Sequence, residues 1–191
     1  NEYDPNKDDL TKPEAESIGI TLLSKYCSEV SPQYNFVAVE METKPLNIDC
    51  GGGIVVQLTG TMDRARIKKS THGVGIADLK SGSSAVQKGV AVTKGHGAQV
   101  GTYELLYEHT TGEPITSEAE IIGLNTKGKA VIATGTINNA KRIMTGDQDN
   151  PGLIEFAADM FRTGRFYPNP KSLLCSEKYC PRWKTCTFKG D

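Results

Sequence analysis

The stretch from Gln57 to Gly82 limits what this chain can fold into more than any other part of it. Two apolar, β-prone segments flank a polar turn that carries glycine, and each ends by presenting an acid. Asp63 follows Leu58-Thr-Gly60-Thr-Met62, and Asp78 follows Val74-Gly-Ile-Ala77, with Lys80 two residues beyond. Side chains alternate along a strand, so Asp78 and Lys80 share a face. Pairing of the two segments as a hairpin brings Asp63 toward that same face. Two carboxylates beside an ammonium suit a divalent metal and a phosphate, because hard cations take oxygen ligands and Mg²⁺ is typically held by one or two carboxylates plus substrate phosphates. Such a metal activates water and stabilises the charge of an in-line displacement, and Lys80 is placed to steady a phosphoryl oxygen. An isolated Asp-x-Lys triplet is also what any solvated strand presents. The acid upstream, in Gly60-Thr-Met-Asp63-Arg64, gives the triplet its weight.

The chain has 191 residues, enough for one domain with a sizeable core. One α/β domain over 1–191 is therefore expected, with 1–12 as a mobile polar lead-in and 166–191 as a Cys-rich tail. The net charge of −1 excludes a global basic field, so any nucleic-acid contact must come from a local patch. No apolar run approaches the ~20 residues of a membrane helix, and no secretory signal is visible. A cytoplasmic protein with no membrane partner is the expectation.

In chain order, Pro13 with Glu14 and Glu16 opens a helix running to about Val30, with Ile18, Leu22, Leu23 and Tyr26 as its core-facing set and Cys27 as a buried thiol. Residues 34–42 alternate as a strand whose Glu40 and Glu42 fit a solvated face as well as catalysis. Gly51-Gly52-Gly53 is a turn, after which 54–58 enters the first strand of the central pair. Residues 81–97, rich in Gly, Ser and Lys, read either as a backbone cradle for phosphates or as a plain surface loop. Within them Lys94 and His96 are candidate DNA contacts, as is Arg64. Gln99 to His109 reads as a helix ending near Thr111-Gly112, with Gln99 and Tyr103 on one face. Residues 119–124 and 129–135 form a second hairpin, and 151–163 an amphipathic helix. Lys141, Arg142, Arg162 and Arg165 are further candidate backbone contacts, for which a solvated face is the default.

Five cysteines is an odd number, and three of them crowd the C-terminus as Cys175, Cys180 and Cys186, spaced C-x4-C-x5-C. That suits a soft metal, zinc or an iron–sulfur cluster better than a disulfide framework. A fourth ligand would come from Cys27, Cys50, a histidine or outside the chain. Three reduced thiols packed around Trp183 explain the spacing equally well.

Gly60-Thr-Met-Asp63-Arg64, then Asp78-Leu-Lys80-Ser-Gly82, then Gln99-x-x-x-Tyr103 resemble, in order and spacing, the motifs of the PD-(D/E)xK nucleases, and most closely their RecB-like exonuclease branch. The C-terminal Pro-Asn-Pro…Cys…Cys-Pro…Cys run resembles phage-type members, and the match spans about residues 34–186. The resemblance implies a restriction-endonuclease-like core, a mixed central sheet flanked by helices. It implies Mg²⁺- or Mn²⁺-dependent cleavage of DNA, with Asp63 and Asp78 as metal ligands, Lys80 as the catalytic lysine, and Gln99 and Tyr103 abutting the site. Iron–sulfur members of the family carry a 4Fe–4S cluster on such cysteines together with an early one, a place that Cys27 or Cys50 would have to fill here. Two features depart from the family pattern. The first-motif acid has no clear counterpart beyond Glu14 and Glu16, and the family's cluster spacing is usually C-x2-C-x5-C.

The expected function is a divalent-metal-dependent deoxyribonuclease, an exonuclease of recombination, repair or phage DNA processing, with a recombination or phage protein as partner. The competing readings are a catalytically idle DNA-binding or assembly module of the same fold and an iron–sulfur, redox-responsive DNA-binding protein. The intact Asp63, Asp78 and Lys80 favour the enzyme, because an idle module has no chemical need for the trio.

Overall fold

The computed structural model describes residues 10–128, 130–166, 169, 172 and 174–189. The expected lead-in lies outside the described residues as far as residue 9. At its end, Thr11 caps α1 (Lys12–Lys25): its backbone N–H and its hydroxyl both donate to Glu14 Oε2, at 2.8 and 2.6 Å. With Pro13 in the first turn, this is the start the sequence signals. The helix then loosens into a π-helical turn over Tyr26–Val30. Of its expected core-facing set only Leu22 is buried, while Leu23 is exposed. Cys27 is exposed as well, because the π turn rotates it out of the apolar face.

Among the described residues nine strands follow the order β1 (Tyr34–Glu42), β2 (Leu46–Asp49), β3 (Val55–Leu58), β4 (Thr61–Lys68), β5 (Val74–Gly82), β6 (Val86–Gln87), β7 (Val90–Ala91), β8 (Ala119–Asn125) and β9 (Val131–Ile137). Three more helices interrupt or follow them: α2 (Gly97–Thr111), α3 (Ala140–Thr145) and α4 (Leu153–Thr163). Five strands make a mixed sheet ordered β1-β4-β5-β8-β9. All its neighbours are antiparallel except β5 and β8, which run parallel through the α2 crossover. A parallel pair needs such a crossover, and a helix is its usual form.

The central pair differs from expectation at its entrance. Val55–Leu58 is not part of the main sheet: it pairs with β2 in a separate two-stranded arm closed by Gly51-Gly52-Gly53, all three with positive φ. The acid-bearing strand begins anew at Thr61. Gly60 makes the break, and its carbonyl accepts both the N–H and the hydroxyl of Thr43, at 3.1 and 2.7 Å. Arg162 of α4 ties the arm down by donating to the Cys50 carbonyl at 2.9 Å.

The sheet carries a core on each face. On one, Ala65, Ile76, Ala119 and Ile121 pack with Val100 and Tyr107 of α2, Ala140 of α3 and Ala91 of β7. On the other, Ala77 and Ile122 pack with Val30 and Tyr34. That second face also holds a buried polar knot. Arg66 Nη2 and Lys68 Nζ both donate to Glu120, at 2.7 Å each, and the Arg66 guanidinium lies 5.5 Å from the centre of the Tyr34 ring. Burial alone would raise the Glu120 carboxyl, but Lys68 and Arg66 together hold it below the usual carboxylate range. Burial, reinforced by the Glu120 charge, pushes the Tyr34 phenol well up. The apolar set expected of α4 is only partly inside: Ile154 and Ala158 are buried, whereas Leu153, Phe156 and Phe161 are exposed.

Candidate active site

The site forms where β5 changes partners. Its pairing with β4 lasts only from Val74 to Ile76, opposite Ile67 to Ala65. From Ala77 onward β5 pairs instead with β8. Past Ala65 the two antiparallel strands part, and the Asp63 side chain bridges the gap, Oδ2 accepting the Leu79 N–H at 3.3 Å. Along β5, Val74 and Ile76 belong to the α2-side core and Ala77 and Leu79 to the other. Strand alternation therefore puts Asp78 and Lys80 on the α2 side, and the same alternation puts Asp63 there with Ala65.

Asp78 is fully buried, with 0% of its side chain exposed, and Lys80 Nζ lies 2.7 Å from its Oδ2. Neither Asp78 oxygen receives a well-directed hydrogen bond. Burial raises the Asp78 carboxyl above its ordinary value, Lys80 draws it back, and the neighbouring Asp63 charge pushes it up again. The Lys80 side chain is 27% exposed, which leaves its ammonium a path to solvent. The buried Asp78 carboxylate has the Lys80 ammonium as its counter-ion, and with Asp63 beside it offers oxygen donors to a further cation. The oxygen-only donor set fits Mg²⁺ or Mn²⁺. Asp63 and Asp78 are the residues that would hold it. Among the described residues no group of three His, Cys, Asp or Glu side chains gathers at metal-holding range. Glu14 is taken up in the α1 cap and Glu16 is exposed, so α1 supplies no first-motif acid.

Gln99 and Tyr103 do pair on α2: Gln99 Nε2 donates to Tyr103 Oη at 3.1 Å. Tyr103 packs against the core on the Asp78 face. Its ring also reaches the entrance of β4, where a Cβ built on Gly60 would lie 3.5 Å from Cε1. Lys94 is exposed and His96 is the residue before α2, both on the segment leading from β7.

Arg64 is not brought to this site. Its guanidinium lies 5.3 Å from the Tyr26 ring centre and 5.8 Å from that of Phe36, on the opposite face of the sheet from Asp78. Lys141 is paired with Glu108, Arg142 with Asp147 and Arg162 with Asp159, which leaves them engaged within the fold. Cys175, Cys180 and Cys186 line one cavity of about 440 Å³ together with Phe166 and Phe188. Cys27 and Cys50 are not among its lining residues, and Cys50 sits instead in the arm beside α4. The described arrangement therefore gathers three thiols loosely and supplies no fourth.

Two features escaped the sequence reading. Residues 83–95 contain the β6–β7 hairpin rather than a plain loop. Glu104 of α2 is buried, accepts the Lys141 N–H at 2.7 Å at the start of α3, and is pushed up to about 7 by burial. The helical pattern of 97–111 gave Glu104 no distinction from other helix acids.

The family model described as PD-(D/E)XK nuclease superfamily matches residues 12–187. This chain belongs to the PD-(D/E)XK nuclease superfamily. Among solved structures, the chain is similar to one described as "Putative exonuclease" from Eubacterium rectale, with 15% identity and a TM-score of 0.39. That match covers 85% of this chain and 64% of the other, so the chain spans under two thirds of that protein's length. Comparison with curated proteins returns no match. No helix among the described residues is long and apolar enough to cross a membrane.

Proposed function

We propose that this superfamily nuclease is a divalent-metal-dependent deoxyribonuclease that removes nucleotides from DNA ends, in recombination, repair or phage DNA processing. The observation that carries the reading is the buried Asp78, whose oxygens lack directed donors although Asp63 and Lys80 stand beside it. Mg²⁺ or Mn²⁺ held by Asp63 and Asp78 would supply a Lewis acid for a phosphoryl oxygen and an acidified water.

The chain's own residues carry the remaining work. Asp63 fixes the opening between β4 and β5 by accepting the Leu79 N–H, so the two carboxylates are held at one end of the split. Lys80 neutralises Asp78 in the free protein and is exposed enough to turn toward a substrate phosphate, where an ammonium stabilises developing negative charge. Gln99 and Tyr103 present one amide and one phenol, held to each other, on the helix that covers the same face.

The test is cleavage of end-labelled linear and circular DNA with Mg²⁺ or Mn²⁺, by the wild type and by Asp78→Ala and Lys80→Ala. Asp78→Ala is expected to abolish cleavage and weaken metal binding, whereas Lys80→Ala cuts the rate and leaves metal affinity largely intact. Both variants cleaving at the wild-type rate would refute the site. Cleavage of circular as readily as linear DNA would refute the exonuclease reading. Binding without cleavage would point to the idle module.

A further inference from the structure

The β6–β7 hairpin lies on β8 and β9, β8 being the strand that pairs with the Lys80-bearing β5. Lys80 is level with Gly123 in the parallel β5–β8 register. A Cβ on Gly123 would come 2.5 Å from the Ala85 carbonyl and 3.1 Å from Val86 Cγ2. On the next strand, a Cβ on Gly135 would come 2.5 Å from the Ala91 carbonyl and 2.8 Å from Thr93 Cγ2. Backbone of the hairpin thus lies flat on two bare positions of the sheet, on the same face as Asp78, with Ala91 in the core. Any side chain at 123 or 135 would lift it off. The hairpin is a wall built into the fold, closed at its base by the Val92 N–H donating to Ala85 O at 2.9 Å.

Its tip is unusual. Gln87 pairs with Val90, leaving a two-residue turn of Lys88 and Gly89, with φ of 51° and 79°. Positive φ at both central positions defines a turn that selects Asn-Gly or Asp-Gly. A lysine there is uncommon and strained, and strain of this kind gathers where a side chain has a task. Gln87, Lys88, Gly89 and Val90 are all exposed, and among the described residues Lys88 has no hydrogen bond or ion pair. Lys94 is exposed on the segment returning to α2. Among the described residues neither lysine has an ion-pair partner, on a chain whose net charge is −1.

We infer that the β6–β7 hairpin is the element that positions a nucleic-acid strand against the Asp78–Lys80 site, with Lys88 gripping its phosphate backbone. The inference rests on the deoxyribonuclease reading for the nature of the ligand. In this account the hairpin acts beside the motif residues, which would meet the reacting phosphate. Lys88 is a positioning residue in this account.

The test uses the full chain without metal, a fluorescein-labelled single-stranded oligonucleotide, and anisotropy titrations over a range of NaCl concentrations. Lys88→Asn relieves the turn while removing the charge. The expected result is weaker binding, a salt slope shallower by about 0.7 for one lost single-strand phosphate contact, and a melting temperature that does not fall. Equal affinity and slope in wild type and variant would overturn the inference. So would a loss of binding that comes with a lowered melting temperature, since the turn itself would then be responsible. Hydrolysis of bis(p-nitrophenyl) phosphate with Mn²⁺ by the wild type, compared with Asp78→Ala, reports separately on the nuclease reading. Lys88-dependent binding without hydrolysis would sink that reading and uphold the hairpin. Hydrolysis with Lys88-independent binding would do the reverse, and a wild type that binds no oligonucleotide overturns the hairpin's role outright.

Discussion

Asp63 Oδ2 accepts the backbone N–H of Leu79, the residue immediately after Asp78. One acid therefore serves as a structural strut for the strand that presents the other. Asp63→Ala is expected to lower both metal-dependent cleavage and stability, whereas Asp63→Asn, whose amide oxygen still accepts the Leu79 N–H, keeps the fold and loses cleavage. Urea denaturation beside a cleavage assay checks this. Equal stability losses in the two variants would show that the Leu79 contact contributes nothing.

Asp78 gives a pH dependence with a definite sign. Its carboxyl is raised in the folded protein by burial and by the Asp63 charge, against the pull of Lys80. A raised folded value means that the group supports the metal-free fold fully at low pH, and that this support is lost as pH rises through the folded value. Asp78→Asn is expected to flatten that decline and to melt higher than the wild type at neutral pH in chelator, while losing the melting-temperature rise that Mg²⁺ gives the wild type. A variant still stabilised by Mg²⁺ would show that the cation binds elsewhere.

Glu104 titrates in a different window. Its carboxyl is pushed up to about 7 from 4.5 by burial, with the Lys141 N–H and ammonium opposing. Support for the fold is complete below the unfolded value and falls between about pH 4.5 and 7. Glu104→Gln keeps an acceptor for the Lys141 N–H, and it is expected to match the wild type at acid pH and exceed it above pH 7. Parallel melting curves of the two proteins across pH 4–9 would contradict this.

On the face opposite Asp78, Glu120 is the shared partner of Arg66 and Lys68. Glu120→Ala leaves the Arg66 guanidinium, 1% exposed, without a counter-charge. A loss of about 3–5 kcal/mol is expected, measured by urea unfolding. A loss under about 1 kcal/mol would mean that water or the Glu118 carbonyl replaces the carboxylate.

Gln99→Ala and Tyr103→Phe each remove one end of a single hydrogen bond. If the pair faces substrate, each lowers the cleavage rate by about tenfold, the equivalent of about 1.4 kcal/mol, at unchanged melting temperature. An unaltered rate together with unaltered DNA affinity would remove both residues from the site.

The motif residues were legible because chemistry and strand alternation act on them locally. Asp78 and Lys80 share a face for the same reason that any i, i+2 pair does, and the Gln99–Tyr103 bond follows from helical spacing. The capped start of α1 and the Gly112 stop of α2 are likewise local. What the sequence concealed depends on contacts distant along the chain. Val55–Leu58 has the composition of a central strand, and its partner is set by the Gly51–Gly53 turn and the Arg162 anchor. Arg64 looked like a DNA contact because it adjoins Asp63, yet adjacent strand residues point to opposite faces. The β6–β7 hairpin has strands too short for any periodicity, and its signal was in glycines 123 and 135, far from it in the chain. Cys27 was read as buried from its residue type alone, and the π turn that exposes it has no signature in the sequence.

The short ladder between β4 and β5 also bears on how the chain reaches its native state. A hairpin closed by residues 69–73 forms by local contact, whereas β5 and β8 cannot pair until α2 has been traversed. Local pairings form faster than distant ones. Early closure of that hairpin would bring the acids together before the parallel pairing that buries Asp78 is complete, so that their mutual repulsion would be met on the way to the native state as well as in it. Refolding in the absence of metal should consequently speed up as the pH is lowered toward the carboxylate range, and Asp63→Asn should abolish most of that acceleration in stopped-flow measurements.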